Sequence, residues 1–382
     1  PSLHVPQSAD GGVKSRRARK RATMHPMNFS TPESPHATRA RALLLRLRET
    51  FAERLACVGE AAGCEGPQQP APPAVVEWLR DGGHHGGGDR RLLGADTGFV
   101  SASLNFSQVH YDDMPDKTLG SATALSCIVH PLQPSAPSLH LHLSWTQMKR
   151  GAGSWRLMAD LNPSTEIAED TTLFVRRMDA VCGLLSGEAR RRGDDYFFIP
   201  ALNRSRGVAH YYFERFAPPE IVAGDSFARA FGAAAIDAYV DILARRMADG
   251  SSPTEAELTA QRAYHTLYLY QVLTLDRGTT SGLLVHDQND EGILASLPPV
   301  VDVALLESWI EKTPPPQDKL LSAICEVLRA HGEGPLEGGG KLRLARLLRQ
   351  HYADHPEALR MQAGSAGTPL AATLHGAART ES

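Results

Sequence analysis

The chain has 382 residues, 42% of them hydrophobic and 22% charged, and 40 basic against 43 acidic side chains leave a formal net charge of −3. Such a composition suits one large globular domain or two medium ones, and the charge balance gives no general case for a nucleic-acid or membrane-surface protein. No run of about 18 apolar residues occurs, so no transmembrane helix is expected, and without a signal-like apolar stretch near the start the expected location is cytoplasmic. The cysteines at 57, 64, 127, 182 and 325 are odd in number and scattered with no C-x-x-C pair, which supports neither a zinc ribbon nor a disulfide framework.

Residues 1–35 are rich in Pro, Ser and basic side chains and read as a disordered basic segment, with Lys14, Arg16, Arg17, Arg19, Lys20 and Arg21 as a solvated run. Thr38 to Val58 is predicted as an amphipathic helix, because Leu44, Leu47, Phe51, Leu55 and Val58 recur at spacings of three and four. Val75 to Leu79 is a short strand or a helical turn. Asp81 to Gly94, DGGHHGGGDRRLLG, reads as a flexible glycine-rich loop; it lacks the G-K-[ST] ending of a P-loop, and His84 and His85 alone are weak grounds for a metal site.

Strands are then expected at Phe99 to Tyr111, Leu125 to His130, Leu139 to Thr146 and Trp155 to Leu161. The third alternates strictly. Leu139, Leu141, Leu143 and Trp145 make one face, and His140, His142, Ser144 and Thr146 the other. That polar face is open to two readings, an ordinary solvated surface or a surface that handles protons or anions. Ser164 or Thr165 is placed as the cap of a helix running through Leu185, Val208 to Phe213 as a strand, and Asp225 or Ser226 at the start of a long helix to Met247. Ser252 to Tyr264 reads as a helix capped by Ser252 or Thr254, and Tyr268 to Leu275 as a β-rich strand. After a TPPP linker, Asp318 to Ala330 and Lys341 to Tyr352 read as helices, followed by a disordered tail. The pattern is α+β with a mostly antiparallel sheet.

Several fragments in order carry a family resemblance: NFSQVH from Asn105, IVHP from Ile128, then Pro134, Pro137 and His140, Asp160-Leu161 with Pro163, DDYFF from Asp194, Arg206-Gly207, Asp276-Arg277-Gly278-Thr279, and SLPP from Ser296. Together they resemble the oxygen-dependent coproporphyrinogen III oxidase family over about residues 38–305. The resemblance implies a large, flat antiparallel sheet flanked by helices on both sides, in a homodimer. It implies a domain over 36–312, with 313–382 as a helical C-terminal extension. It also implies a reaction: propionates of coproporphyrinogen III become vinyls, with loss of CO2 and reduction of O2, without a metal or organic cofactor. The implied partner is a small carboxylate substrate, a porphyrinogen, with no nucleic acid.

Carried over by position, Asp160 corresponds to the aspartate that faces the pyrrole nitrogens and His140 to a proton donor. Ser126 corresponds to a substrate-contacting serine, and His130 to a histidine sometimes taken as a metal ligand; two further histidines of that set fall at Val175 and Ala201, which leaves a metal site without support. Departures accompany these matches. Ser144 and Asn289 stand where the family keeps carboxylate-pairing arginines, and SWRLMA over 154–159 replaces a glycine-rich stretch, so that Leu157 and Met158 are expected to project bulk toward substrate. His142, Ser144 and Arg156 complete the candidate substrate contacts, Arg156 as a relocated cation four residues before Asp160. Arg206 and Arg277, beside glycines, read as turn or dimer-interface residues. The alternatives are the same chemistry on another carboxylate, or a non-catalytic protein that kept the fold.

Overall fold

The computed structural model describes residues 28–61, 74–332 and 335–363. The basic run of residues 14–21 and the tail after 363 lie outside them.

Seven strands form one antiparallel sheet. They are β1 (Ala74–Leu79), β2 (Gly86–Leu93), β3 (Phe99–His110), β4 (Leu119–Pro131), β5 (Ser138–Met148), β6 (Ser154–Asn162) and, after a long excursion, β9 (Ala209–Phe216). β1 to β6 pair in chain order and β9 closes the row beside β6. The excursion holds helices α2 (Ala168–Cys182) and α3 (Ser186–Phe197) and a small hairpin of β7 (Phe198–Ile199) and β8 (Arg204–Ser205).

Alternation along the strands sorts side chains to two faces. Leu104, Phe106, Leu125, Cys127, Leu139, Leu141, Leu143, Trp155, Leu157, Tyr211 and Phe213 make the apolar face. It packs under α1 (Pro35–Ala61), α2 and α4 (Ile221–Met247), through side chains such as Leu44, Phe51, Phe174, Phe231 and Tyr239. Above part of the opposite face lies a second helical layer: α5 (Glu255–Thr274), α6 (Arg277–Val285), α7 (Asp290–Ile293), α8 (Val303–Glu307), α9 (Gln317–His331) and α10 (Gly338–Asp354). A separate apolar cluster, including Leu269, Leu273, Leu306, Leu321 and Leu344, holds this layer together. α9 and α10, from the stretch assigned to a C-terminal extension, share that cluster with α5 and α8, and Gln362 donates to the Thr274 carbonyl at 3.1 Å. The fold is α+β, with one large antiparallel sheet between helical layers.

Three expectations give way. The glycine-rich stretch does not form a loop: Gly86–Leu93 is β2, bonded on both sides. The glycines are there for close approach, since a Cβ on Gly88 would lie 2.1 Å from the Phe106 carbonyl oxygen. The aromatic run 268–275 is not a strand. α5 continues to Thr274, with Thr254 capping it reciprocally with Glu257. Every residue from Tyr264 to Thr274 is buried, so no helical stripe marks the run and β-branched or aromatic content misleads. Finally, neither Ser164 nor Thr165 caps a helix; α2 starts at Ala168 with Ile167 at its N-cap position.

Candidate active site

The polar face is read most simply as rows running across the strands. Backbone register places Ser103, Ile128, His140, Asp160 and His210 opposite one another in one row. The next row is Arg90, Asn105, Ser126, His142, Met158 and Tyr212. A third holds Ser107, Ala124, Ser144 and Arg156. The structure therefore brings all six candidate residues, from the three strands β4, β5 and β6, onto one surface. Over β3 to β5 this face is only partly covered, with Asn105, Ser126, Ile128, His140 and His142 half-buried, whereas Asp160 and Met158 on β6 are buried. Leu157 points to the helix-packed apolar face rather than toward the polar one. Met158 does face the polar side, where it packs against Tyr196, Phe197 and Tyr212.

At the centre is Asp160, with 0% exposure. His140 Nδ1–H donates to its Oδ1 at 2.6 Å, while Arg206 Nη2 at 2.8 Å and Asn162 Nδ2 at 2.7 Å donate to Oδ2. Burial alone would push this carboxyl up; the charges of His140 and Arg206 and the histidine hydrogen bond overcome that and hold it below the usual carboxylate range. His140 is thereby locked in orientation, with Nδ1 committed to Asp160 and its ring edge-on to Phe197 at 5.9 Å. The ring's other nitrogen, Nε2, has no partner among the described residues, and the side chain keeps 14% exposure. An imidazole fixed by a buried carboxylate through one nitrogen and open at the other is suited to passing a proton.

Arg206, read from the sequence as a turn or dimer-interface residue, is instead the buried partner of Asp160. It is 2% exposed, stacks on Phe197 and Tyr268 at 4.7 and 5.1 Å, and its side chain lies inside the chain. Its partner is 46 residues away, so spacing carries no hint of the pair. The signal available was chemical: an aspartate in an apolar strand requires a buried cation. His210 completes the neighbourhood. Its Nδ1 lies 2.8 Å from Asp194 Oδ1 and its Nε2 2.6 Å from the Arg206 carbonyl oxygen.

The other candidates divide. His142 shares a hydrogen bond with Ser144 at 3.0 Å, and burial, with Arg156 and His140 nearby, pushes its imidazole well below the ordinary value, so it is neutral at pH 7. Arg156 is held among aromatic side chains. It donates to Tyr196 Oη at 3.1 Å, Tyr196 donates to Asp276 at 2.8 Å, and the guanidinium lies over the rings of Tyr196 and Tyr212. Asp276 in turn caps α6 through the Thr279 amide at 2.6 Å. Arg277, read as a turn or interface residue, ion-pairs with Glu214.

His130 is fully buried between Ser138 Oγ at 2.9 Å and the Ser296 carbonyl at 3.2 Å, a satisfied core histidine. Away from this face, His84, His85 and Asp113 place one ligand-type atom each within 4.8 Å of one another, already linked by hydrogen bonds of 2.8 and 3.1 Å.

A broad antiparallel sheet, apolar under one helical layer and carrying a buried His–Asp–Arg group on its other face, defines an α+β protein. The family model for coproporphyrinogen III oxidase matches residues 68–327, more than half of the 382. The protein belongs to the coproporphyrinogen III oxidase family, which sets it among oxidative decarboxylases of porphyrin biosynthesis. The six candidate residues all lie within the match, which ends inside α9. Among the described residues no helix is long and apolar enough to cross a membrane.

Proposed function

We propose that the polar face of the sheet oxidatively decarboxylates propionate groups of a porphyrinogen, with coproporphyrinogen III as substrate and O2 as oxidant. Each propionate loses CO2 and two hydrogens and becomes a vinyl, and the two electrons reduce O2 to hydrogen peroxide. The observation that carries this reading is the buried His140–Asp160–Arg206 group beside a half-covered strip of the sheet, inside the family match. In this reading His140 moves the proton at Nε2, Asp160 orients it, and Ser126 and His142 contact the macrocycle. The reading takes neither a metal nor an organic cofactor and carries a homodimer with it.

One feature favours a second reading, the same chemistry on another carboxylate. Three donors already occupy Asp160, which leaves about one lone-pair site for pyrrole N–H groups. The test is to supply coproporphyrinogen III to the protein under air and follow protoporphyrin fluorescence after oxidation. Product that disappears in Asp160→Ala and His140→Ala supports the proposal; no product at high protein concentration overturns it.

A further inference from the structure

Arg90 sits on β2 in the row that leads through Asn105 and Ser126 to His142. It is 5% exposed, and its Nε and Nη1 are sealed from solvent with no hydrogen-bond partner among the described residues. Its neighbours on the sheet are occupied: Asp89 pairs with Arg48 and Arg91 with Glu49, both on the α1 side, so neither reaches it. Two further orphans lie beside it. Asn105 Oδ1, directly opposite in register, and Asn289 Oδ1 are both buried without partners. Arg90 Nη1 and Asn289 Oδ1 flank one point, the Cβ position of Gly292, at 2.5 and 2.0 Å. The Glu291 carboxylate lies close enough to act on Arg90 against the effect of burial, and acts the same way on Lys341 of α10, but it makes no hydrogen bond to Arg90 Nε or Nη1.

A buried guanidinium with unmade bonds costs free energy in the empty protein. That cost is offset if an anion completes the group, and the amides, whose O and N positions interchange by a flip, can turn their NH2 donors to the same anion. The row also sets a length. Three strand spacings separate Arg90 from His142, roughly 14 Å at about 4.8 Å each. A ligand that reaches both Arg90 and His142 is therefore large.

We propose that Arg90 anchors a remote carboxylate of the substrate. This deepens the porphyrinogen reading and rests on it for the identity of the ligand, although the anion site itself does not. The test compares wild type with Arg90→Met and Arg90→Lys, by coproporphyrin III fluorescence titration and by thermal melting with and without citrate. Arg90→Met is expected to weaken coproporphyrin binding on the order of tenfold to a hundredfold, the loss of one charge-assisted bond. Arg90→Lys should recover part of that loss. The ligand-free melting temperature of Arg90→Met should be unchanged or higher, and the rise that citrate gives the wild type should vanish.

If the wild type binds no coproporphyrin but citrate stabilises it through Arg90, the porphyrinogen reading fails and the anion site stands. If coproporphyrin binds wild type and Arg90→Met equally, the anion site is overturned and the porphyrinogen reading stands. An Arg90→Met variant that melts several degrees lower and answers citrate as the wild type does overturns it as well, by making Arg90 a structural group.

Discussion

Replacing Arg206 by Met is the sharpest probe of the central group. The pair it breaks is sealed, with side-chain exposures of 3% for Arg206 and 0% for Asp160. Solvent therefore cannot compensate, and removing one member of such a pair costs about 3–5 kcal/mol, because the other charge stays buried. The unfolding entropy of about 2.1 cal/mol/K per residue gives a chain of 382 residues roughly 0.8 kcal/mol/K, so the melting temperature should fall by about 4–6 °C. Asp160→Asn combined with Arg206→Met removes both charges and should recover a large part of the loss, a non-additive cycle.

Scanning calorimetry at pH 7 on the wild type, both single variants and the double variant reads these values. The acid limb provides a second readout. A depressed carboxyl contributes stability that is present above its unfolded pKa and lost as pH falls through its folded one. Without Arg206 the folded pKa of Asp160 rises, so the loss should begin at higher pH. A fall of less than 1 °C, or strict additivity in the double variant, would refute the pairing as the organising contact.

Three other outcomes are expected. His140→Gln keeps a donor for Asp160 but lacks the second ring nitrogen, so kcat should drop by about 10²–10⁴ while coproporphyrin affinity stays within about threefold; steady-state kinetics beside a binding titration separate the two, and an unchanged kcat would remove His140 from the chemistry. Gly88→Ala forces a methyl to 2.1 Å from the Phe106 oxygen and 2.7 Å from the Trp78 indole nitrogen, so a urea melt should show a loss of about 2 kcal/mol or more. His265 is buried and pushed down to about 4, so stability is complete above pH 6.5 and declines by about 1.4 kcal/mol per pH unit between 6.5 and 4. His265→Gln should flatten that limb by one proton, and an unaltered slope would show that His265 titrates normally in the folded chain.

Strands β3 to β6 and β9 were legible because each has one face in an apolar cluster and one facing polar or half-covered space, which prints a period of two on the sequence. β5 is the clearest, with Leu139, Leu141 and Leu143 in the core and His140 and His142 on the other side. α5 was not legible beyond Tyr264, because burial on all sides erases the period that identifies a helix. The glycine stretch of β2 hid for the opposite reason: its message is backbone proximity, which composition reports only as flexibility. Within the site, single residues were findable and their partnerships were not. Asp160, His140 and Arg206 all came from the family fragments, but nothing in them showed that Arg206 pairs with Asp160 across 46 residues. Arg156, placed by sequence proximity to Asp160, faces Tyr196 and Asp276 instead.

The order in which the strands pair has a consequence for synthesis. β1 to β6 lie in the sheet in the order in which they leave the ribosome, so each strand finds its neighbour with short loop closures. Arg206 emerges 46 residues after Asp160, and the layer of α5 to α10 follows later still. The low-dielectric setting of the Asp160 carboxylate is therefore completed by segments made after it, with Tyr268 of α5 stacking on Arg206. Chains cut short before α5 would retain the strands that carry His140 and Asp160 but lack the second helical layer that encloses them.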